Sequence, residues 1–328
     1  MNKRARIIGT GMYVPEYILT NDKLSAMMDT SDEWITAHTG IRERRISTNE
    51  ETWKMAALAG VKALENTGAE PMDIDFIIGC TNTSDYLFPA MACLVQAYLG
   101  ADNATCFDVS AGCTTFVYAL DMADQYIQTG RARNILIVCS DIISKCLDYT
   151  DRSSCILFGD GAGAVLVTAG DKGVIASYTR SQGAGGVVLS CPSKENNSPF
   201  FDKDAERSLH PAGDTTFMDG HAVYKFATRA MPEALEKALE LAGVAPEQLR
   251  WCIPHQANLR IIKHAAKRIG IPDEKVYVNI DRYGNTSSAT MPICLDELNR
   301  SGRLRDGDLI AIAGFGAGLT YGAAVLAW

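Results

Sequence analysis

A glycine-rich block stands twice in this chain of 328 residues, as Phe158-Gly-Asp-Gly-Ala-Gly163 and as Phe315-Gly-Ala-Gly318, an interval of 157 residues. Each copy is expected to form a turn between apolar, strand-like runs: Cys155–Phe158 and Ala164–Thr168 in the first half, Leu309–Ala313 and Ala323–Ala327 in the second. Cys113 and Asn285, 172 residues apart, form a second pair, each between a strand-like stretch and one with helical spacing. Repetition on this scale restricts the fold more than any other property of the chain. Each half must be a copy of one βαβ-rich unit, so the fold class is α/β. The boundary is expected near residue 171, giving units 1–171 and 172–328, and a loop insertion accounts for the unequal intervals.

Taken in order, Arg4–Gly9 reads as a strand, Thr20 and Thr30-Ser-Asp-Glu-Trp34 open short capped helices, and Thr39–Arg45 is a turn with a charged loop. An amphipathic helix is expected over Thr52–Gly68, a strand over Ile74–Gly79 and a helix over Pro89–Leu99. Thr105–Val109 then reads as a strand running into a helix that carries Phe116, Val117, Leu120, Ala123 and Ile127 at helical spacing. Asn134–Cys139 is a strand apolar on both faces. In the second half, Ala222–Ala242 reads as a long helix, Arg250–Pro254 as a strand, Asn258–Ile269 as a helix, Val276–Val278 as a strand, and the residues after Asn285 as a helix ending near Gly302. Ligands in such sheets bind beyond the strand C-termini, where Cys113 and Asn285 both fall.

Cys113 therefore stands at a helix N-terminus. Unpaired N–H groups and the positive end of the helix dipole there are expected to lower the thiol pKa and to hold an oxyanion. His255 follows the apolar strand Trp251–Pro254 and precedes a helix, which directs it to the same region if the halves pack as a pseudo-dimer. Taken alone, the histidine could equally serve a turn, and Asn285 a helix cap.

Other chemistries are excluded by what is missing. There is no GxxxxGK[ST] loop, GxSxG elbow or HExxH motif, and the five histidines have no metal-ligand spacing. Both glycine blocks run into strands instead of opening helices, unlike a dinucleotide fingerprint. A net charge of −8 argues against nucleic-acid binding. Ten cysteines without a CxxC pair fit a reduced, cytoplasmic protein. No signal peptide is read at the N-terminus, because Gly9, Gly11 and Pro15 break the apolar run. Leu309–Trp328 is uncharged for twenty residues, but its glycines make it two buried strands and not a membrane span.

The chain resembles the condensing enzymes of the thiolase superfamily, most closely the β-ketoacyl-[acyl carrier protein] synthase III family. The resemblance rests on Ser110-Ala-Gly-Cys113, Pro254-His-Gln-Ala-Asn-Leu-Arg260, Tyr283-Gly-Asn-Thr-Ser287 and Gly314-Phe-Gly-Ala-Gly-Leu-Thr-Tyr-Gly322. It extends through Gly9-Thr-Gly-Met-Tyr-Val-Pro15, Thr30–Ile35, Thr39–Arg44 and Phe158–Ala164, nearly the whole chain. It implies a thiolase-like fold with layers α-β-α-β-α. It implies decarboxylative condensation of a short acyl-CoA primer, acetyl-CoA by default, with malonyl-acyl carrier protein, initiating type II fatty acid synthesis. The alternative is a relative that moves an acyl group from Cys113 to another acceptor in secondary metabolism.

In that family the catalytic set would be Cys113, His255 and Asn285, with the oxyanion hole formed by the N–H groups of Cys113 and Ala317. Substrate contacts would fall to Trp34 and Arg152 on either side of adenine, His38, Asn258 along the pantetheine tunnel, and Phe88 at the end of the partner subunit's acyl pocket, which implies a homodimer. The carrier protein would meet Lys225, Gln256, Arg260, Lys267 and Arg268. Arg260, Lys263 and Lys267 also share one helix face by spacing alone. No metal and no cofactor are implied, acyl-CoA being a substrate, and no membrane association. Three positions depart from the family pattern: His38 stands where an arginine is common, Thr114-Thr115 follows the cysteine where small residues are usual and is expected to narrow or reshape the pocket, and Ala317 replaces a glycine.

Overall fold

A computed structural model describes residues 3–65, 67–193, 198–200 and 215–328. Two sheets carry the chain. In the first half the strands are Arg4–Tyr13 (β1), Phe76–Cys80 (β2), Thr105–Val109 (β3), Asn134–Ile142 (β4) and Asp160–Gly170 (β5), in the order β1-β5-β4-β2-β3. In the second they are Val174–Ser181 (β6), Trp251–Pro254 (β7), Leu309–Gly316 (β8) and Thr320–Ala327 (β9), in the order β6-β9-β8-β7. The two orders and strand directions are the same. β1 and β6 pair antiparallel with β5 and β9, and these pair antiparallel with β4 and β8. β4 and β8 in turn pair parallel with β2 and β7. β3 has only a vestige in the second half, a single parallel bridge between Cys252 and Val276.

Five helices complete the layers: Thr52–Leu64 (α1), Thr115–Gln128 (α2), Gly220–Ala242 (α3), Leu259–Ile269 (α4) and Thr290–Arg300 (α5). α2 and α5 lie between the sheets. Phe116, Val117 and Leu120 of α2 and Met291, Ile293 and Leu295 of α5 share one buried cluster with Ile78, Ile137 and Val165 of the first sheet and Ile253, Ile312 and Leu326 of the second. α1 covers the outer face of the first sheet through Met55, Ala56 and Ala59. α3 and α4 cover the outer face of the second through Phe226, Leu235, Ile261 and Ala265. Apolar side chains leaving water for these three layers supply the main driving force. The central cluster places the N-terminus of α2 and the segment leading into α5 on the same side of the molecule. Among the described residues no helix is long and apolar enough to cross a membrane.

Several local expectations change. Cys155–Phe158 is no strand: Arg152–Cys155 is a helical turn capped by the Asp151 carboxylate, and Phe158 makes only a bridge to Asn285. Val276–Val278 is reduced to the bridge already described. Glu43–Arg45 is a short strand paired with Ile18–Thr20, not a charged loop. Arg44 within it is fully buried, its guanidinium donating to the carbonyls of Leu19 and Ile156 and to Asn21 Oδ1. Most telling, the first glycine block is not a turn. Gly161 and Gly163 lie in β5, paired with β4. A Cβ on Gly163 would stand 2.9 Å from both Pro292 and the backbone nitrogen of Ile293, so glycine is needed there to let α5 pack against the strand.

Candidate active site

The turn Ser110–Thr114 joins β3 to α2 and holds Cys113 against the opposite half. Gly112 adopts φ +58°, a conformation open to glycine. A Cβ on it would approach Ala317 N to 2.6 Å, and one on Gly316 would reach Cys113 N to 2.3 Å. Two backbone segments thus meet face to face, bringing the N–H groups of Cys113 and Ala317 together where only glycine fits. Thr114 and Thr115 are fully buried. The Thr115 hydroxyl donates to Gly112 O at 2.6 Å and accepts from Ala111 N at 2.9 Å. Thr114 contacts the Thr320 carbonyl and hydroxyl at 3.3 and 3.1 Å. Neither lines a cavity at the cysteine. Instead of narrowing the pocket, Thr115 braces the turn from within and Thr114 ties it to the hairpin β8–β9.

Burial governs the thiol. Cys113 Sγ donates to Ser287 Oγ at 3.6 Å. Desolvation pushes its pKa up to about 12, against the opposing pull of that hydroxyl and of its own backbone N–H. The expected lowering by the helix end does not prevail, because taking a thiolate out of water costs more than one helix terminus returns. The resting group is a thiol and needs a base.

His255 lines the same cavity as Cys113. It is 1% exposed, and burial holds its pKa down to about 3, so the ring is neutral. Nδ1 lies 2.8 Å from Thr290 Oγ1, and the ring stands edge-on to Phe315 with centroids 5.5 Å apart. The Thr290 hydroxyl also reaches Ser287 O at 3.2 Å. Asn285 Oδ1 accepts from Ser287 N at 2.9 Å, which offers Nδ2 to the cavity. Ser287 is the only non-glycine described residue with positive φ, +53°. Its hydroxyl accepts from Asn82 Nδ2 as well as from Cys113. Ser287, Thr290 and Asn82 were not marked by the sequence, because hydroxyls and amides are common and only the packing aims these at the site.

A group protonated near pH 3 stays neutral through the physiological range. Acylation of the protein by acyl-CoA is expected to show no acid limb near the ordinary imidazole value of 6.5 when followed from pH 5 to 8. A limb at that value would contradict the burial. The stability effect has a definite sign. The unfolded chain binds a proton at His255 below about 6.5 and the folded chain only near 3, so this group makes stability fall as pH drops through that window.

Cys113, His255 and Asn285, with Phe315 and Gly316, line the floor of one cavity of 310 Å³. Its outer wall includes Trp34, His38, Arg152 and Asn258. The Arg152 guanidinium lies 4.9 Å from the Trp34 ring and donates to Asp29 O at 2.6 Å. His38 stacks on Trp34 with centroids 4.3 Å apart and is held by Trp34 O at 2.7 Å. Asn258 caps α4, accepting from Arg260 N and donating to His38 O. A second cavity of 250 Å³ continues inward from Cys113, lined by no charged residue.

The remaining candidates lie elsewhere. Phe88 is 85% exposed beside Leu87 at 84%, and both border a surface recess rather than the cavity over Cys113. Lys225, Arg260, Lys263, Lys267 and Arg268 are exposed, and Arg268 pairs with Glu236 at 3.5 Å. Gln256 is corrected. It is 1% exposed, with its amide donating to Pro254 O and Tyr277 O and accepting from Asn279 N, so it presents nothing to a docking protein.

Residues 107–183 match the family model described as 3-oxoacyl-[acyl-carrier-protein (ACP)] synthase III, and residues 239–328 match the model of that enzyme's C-terminal part. The β-ketoacyl-[acyl-carrier-protein] synthase III of Clostridium acetobutylicum is 46% identical over 98% of both chains. The solved 3-oxoacyl-[acyl-carrier-protein] synthase III of Aquifex aeolicus is 43% identical, covers 99% of this chain and 100% of its own, and superposes with a TM-score of 0.91. The priming β-ketosynthase of the R1128 polyketide pathway superposes at 0.90 with 34% identity, over 100% of this chain and 97% of its own.

Proposed function

The chain belongs to the 3-oxoacyl-[acyl-carrier-protein] synthase III family, and from that premise we propose how its residues divide a decarboxylative Claisen condensation of an acyl-CoA primer with malonyl-acyl carrier protein. The observation that carries the reading is that Cys113 of one half and His255 and Asn285 of the other line one cavity floor.

In the first half-reaction Cys113 Sγ attacks the thioester carbonyl while His255 Nε2 takes the thiol proton. Nε2 holds a lone pair when the Thr290 hydroxyl donates to Ser287 O and accepts from Nδ1–H. The oxyanion lies between the N–H groups of Cys113 and Ala317. Coenzyme A leaves with the proton, and the acyl group remains on sulfur. In the second half-reaction malonyl-acyl carrier protein loses CO2. The negative charge moves onto its thioester oxygen, where Asn285 Nδ2 and His255 Nε2–H donate to it. This requires the Thr290 hydroxyl to turn and donate to Nδ1. The carbanion attacks the acyl-cysteine, the 3-oxoacyl-carrier protein departs, and the cysteine takes up one proton. Both acyl groups arrive as thioesters, so the reaction needs no cofactor.

The inner cavity of 250 Å³ with its uncharged lining suits a short neutral primer, acetyl by default. The outer cavity takes the coenzyme, with Trp34, His38, Arg152 and Asn258 at its wall. Arg260, Lys263, Lys267 and, on α3, Lys225 offer an acidic carrier protein a basic face. The exposed Leu87 and Phe88 support a homodimer, free cysteines a reducing cytoplasm, and the matching sheets a duplicated unit divided near residue 171. Acetyl-CoA and malonyl-acyl carrier protein are expected to yield coenzyme A, CO2 and 3-oxobutyryl-carrier protein in equal amounts. Acylation of Cys113 with no CO2 released would overturn the reading.

A further inference from the structure

Cys146 and Cys191 come from distant parts of the chain and meet in the wall of the inner cavity, which Cys113 also lines. Cys146 ends the turn Ile143–Cys146 that follows β4, and Cys191 follows the short strand Leu189–Ser190. That strand pairs with Phe217–Met218, and Thr216 N donates to Cys146 O at 2.8 Å. Three segments are thereby fixed around the two sulfurs. The Cys191 thiol donates to Pro192 O at 3.8 Å, and Cys146 and Thr216 stand beside it in the same cavity wall. Cys146 and Cys191 also border the surface recess beyond the cavity. The condensation makes no use of either thiol.

We propose that Cys146 and Cys191 form a reversible dithiol–disulfide site, oxidised by hydrogen peroxide, whose closure blocks entry of the acyl group to Cys113. The Cys191 thiolate attacks one peroxide oxygen, breaking the O–O bond and releasing hydroxide, to give a sulfenic acid. The Cys146 sulfur then displaces that oxygen as water, so two thiols and one peroxide become one disulfide and two waters. Position selects the cysteine. Cys191 is exposed and borders the surface recess together with Cys146, whereas Cys113 is buried. The neighbours of Cys191 also bring its pKa down to about 6, while burial keeps Cys113 protonated. A disulfide holds its sulfurs at about 2.05 Å, which draws residues 189–191 onto the turn at 143–146 across a cavity of only 250 Å³.

The bond itself stands apart from the role given to Cys113; its effect on acylation rests on that role. The test treats the whole protein with limiting hydrogen peroxide and reads two quantities, the linked peptides by mass spectrometry and the rate at which acetyl-CoA acylates Cys113. The expected result is a Cys146–Cys191 linkage and a rate lowered by about tenfold or more, both reversed by dithiothreitol. With Cys146→Ser or Cys191→Ser no linkage forms, and each variant's rate after mild peroxide stays equal to its own reduced rate. Phenylarsine oxide, which bridges two thiols, is expected to be retained by the reduced protein and lost from either variant, a measure that needs no turnover. A stable sulfenic or sulfinic acid on Cys191 with Cys146 still reduced, or a disulfide that includes Cys113, would overturn the site. A Cys146–Cys191 disulfide with acylation unchanged would overturn the block while leaving the bond.

Discussion

Cys113→Ser is expected to lose acylation by acyl-CoA more than about 10³-fold, in line with the removal of a covalent nucleophile, while Cys106→Ser keeps it. Cys106 sits near the start of β3 and Cys113 beyond its end, and both have pKa values raised by burial, to about 11 and about 12. Acidity therefore does not choose between them. Position does: Cys113 lies on the cavity floor with His255 and Asn285, whereas Cys106 is half-buried near the start of β3 against the outer helix layer, where its thiol reaches Ala104 O. Serine preserves the size and the hydrogen bond to Ser287 but is a far weaker nucleophile at neutral pH. Intact mass after incubation with acetyl-CoA reads the result directly. Loss of the acyl adduct in Cys106→Ser, with the adduct kept in Cys113→Ser, would reverse the assignment.

Asn285→Asp is expected to lower CO2 release from malonyl-carrier protein by about 10² to 10³-fold, the scale of losing one donor to a developing oxyanion, while Cys113 is still acylated. The substitution is nearly isosteric. The oxygen that accepts from Ser287 N is retained, so the main-chain geometry of 285–287 stays in place. What changes is the end facing the cavity, where a donor becomes an oxygen that repels the enolate. Residue 285 is 5% exposed, so the repulsion is weakly screened. Measuring the two half-reactions separately gives the test. Equal loss in both would mean that Asn285 shapes the cavity and does not act on the decarboxylation.

Much of the site was legible because its carriers are local. The strand Thr105–Val109 followed by a helix puts Cys113 at a strand end whatever the rest of the chain does, and the same holds for His255 after β7. The helix cap at Asn258 formed as its residue type and position require. Errors arose where a residue type has two uses. Glycine was read as a turn at Gly159–Gly163, but it clears space for α5. Gln256, four residues before Arg260, is counted with the carrier-protein contacts by resemblance, but its amide is spent on the backbone of Pro254, Tyr277 and Asn279.

The sequence by itself determined the alternation of strands and helices, the strands that bury both faces, and the junctions where Cys113, His255 and Asn285 stand, because strand and helix periodicity are written in residue order. Tertiary structure alone decided the state of those groups. Cys113 meets Ser287 across 174 residues, and His255 meets Thr290 across 35. The helix end that was to acidify Cys113 is a local effect of a few N–H groups. The desolvation that outweighs it comes from every atom that excludes water, including those of Ser287 and Gly316 from far along the chain, and no reading of sequence neighbours could count them.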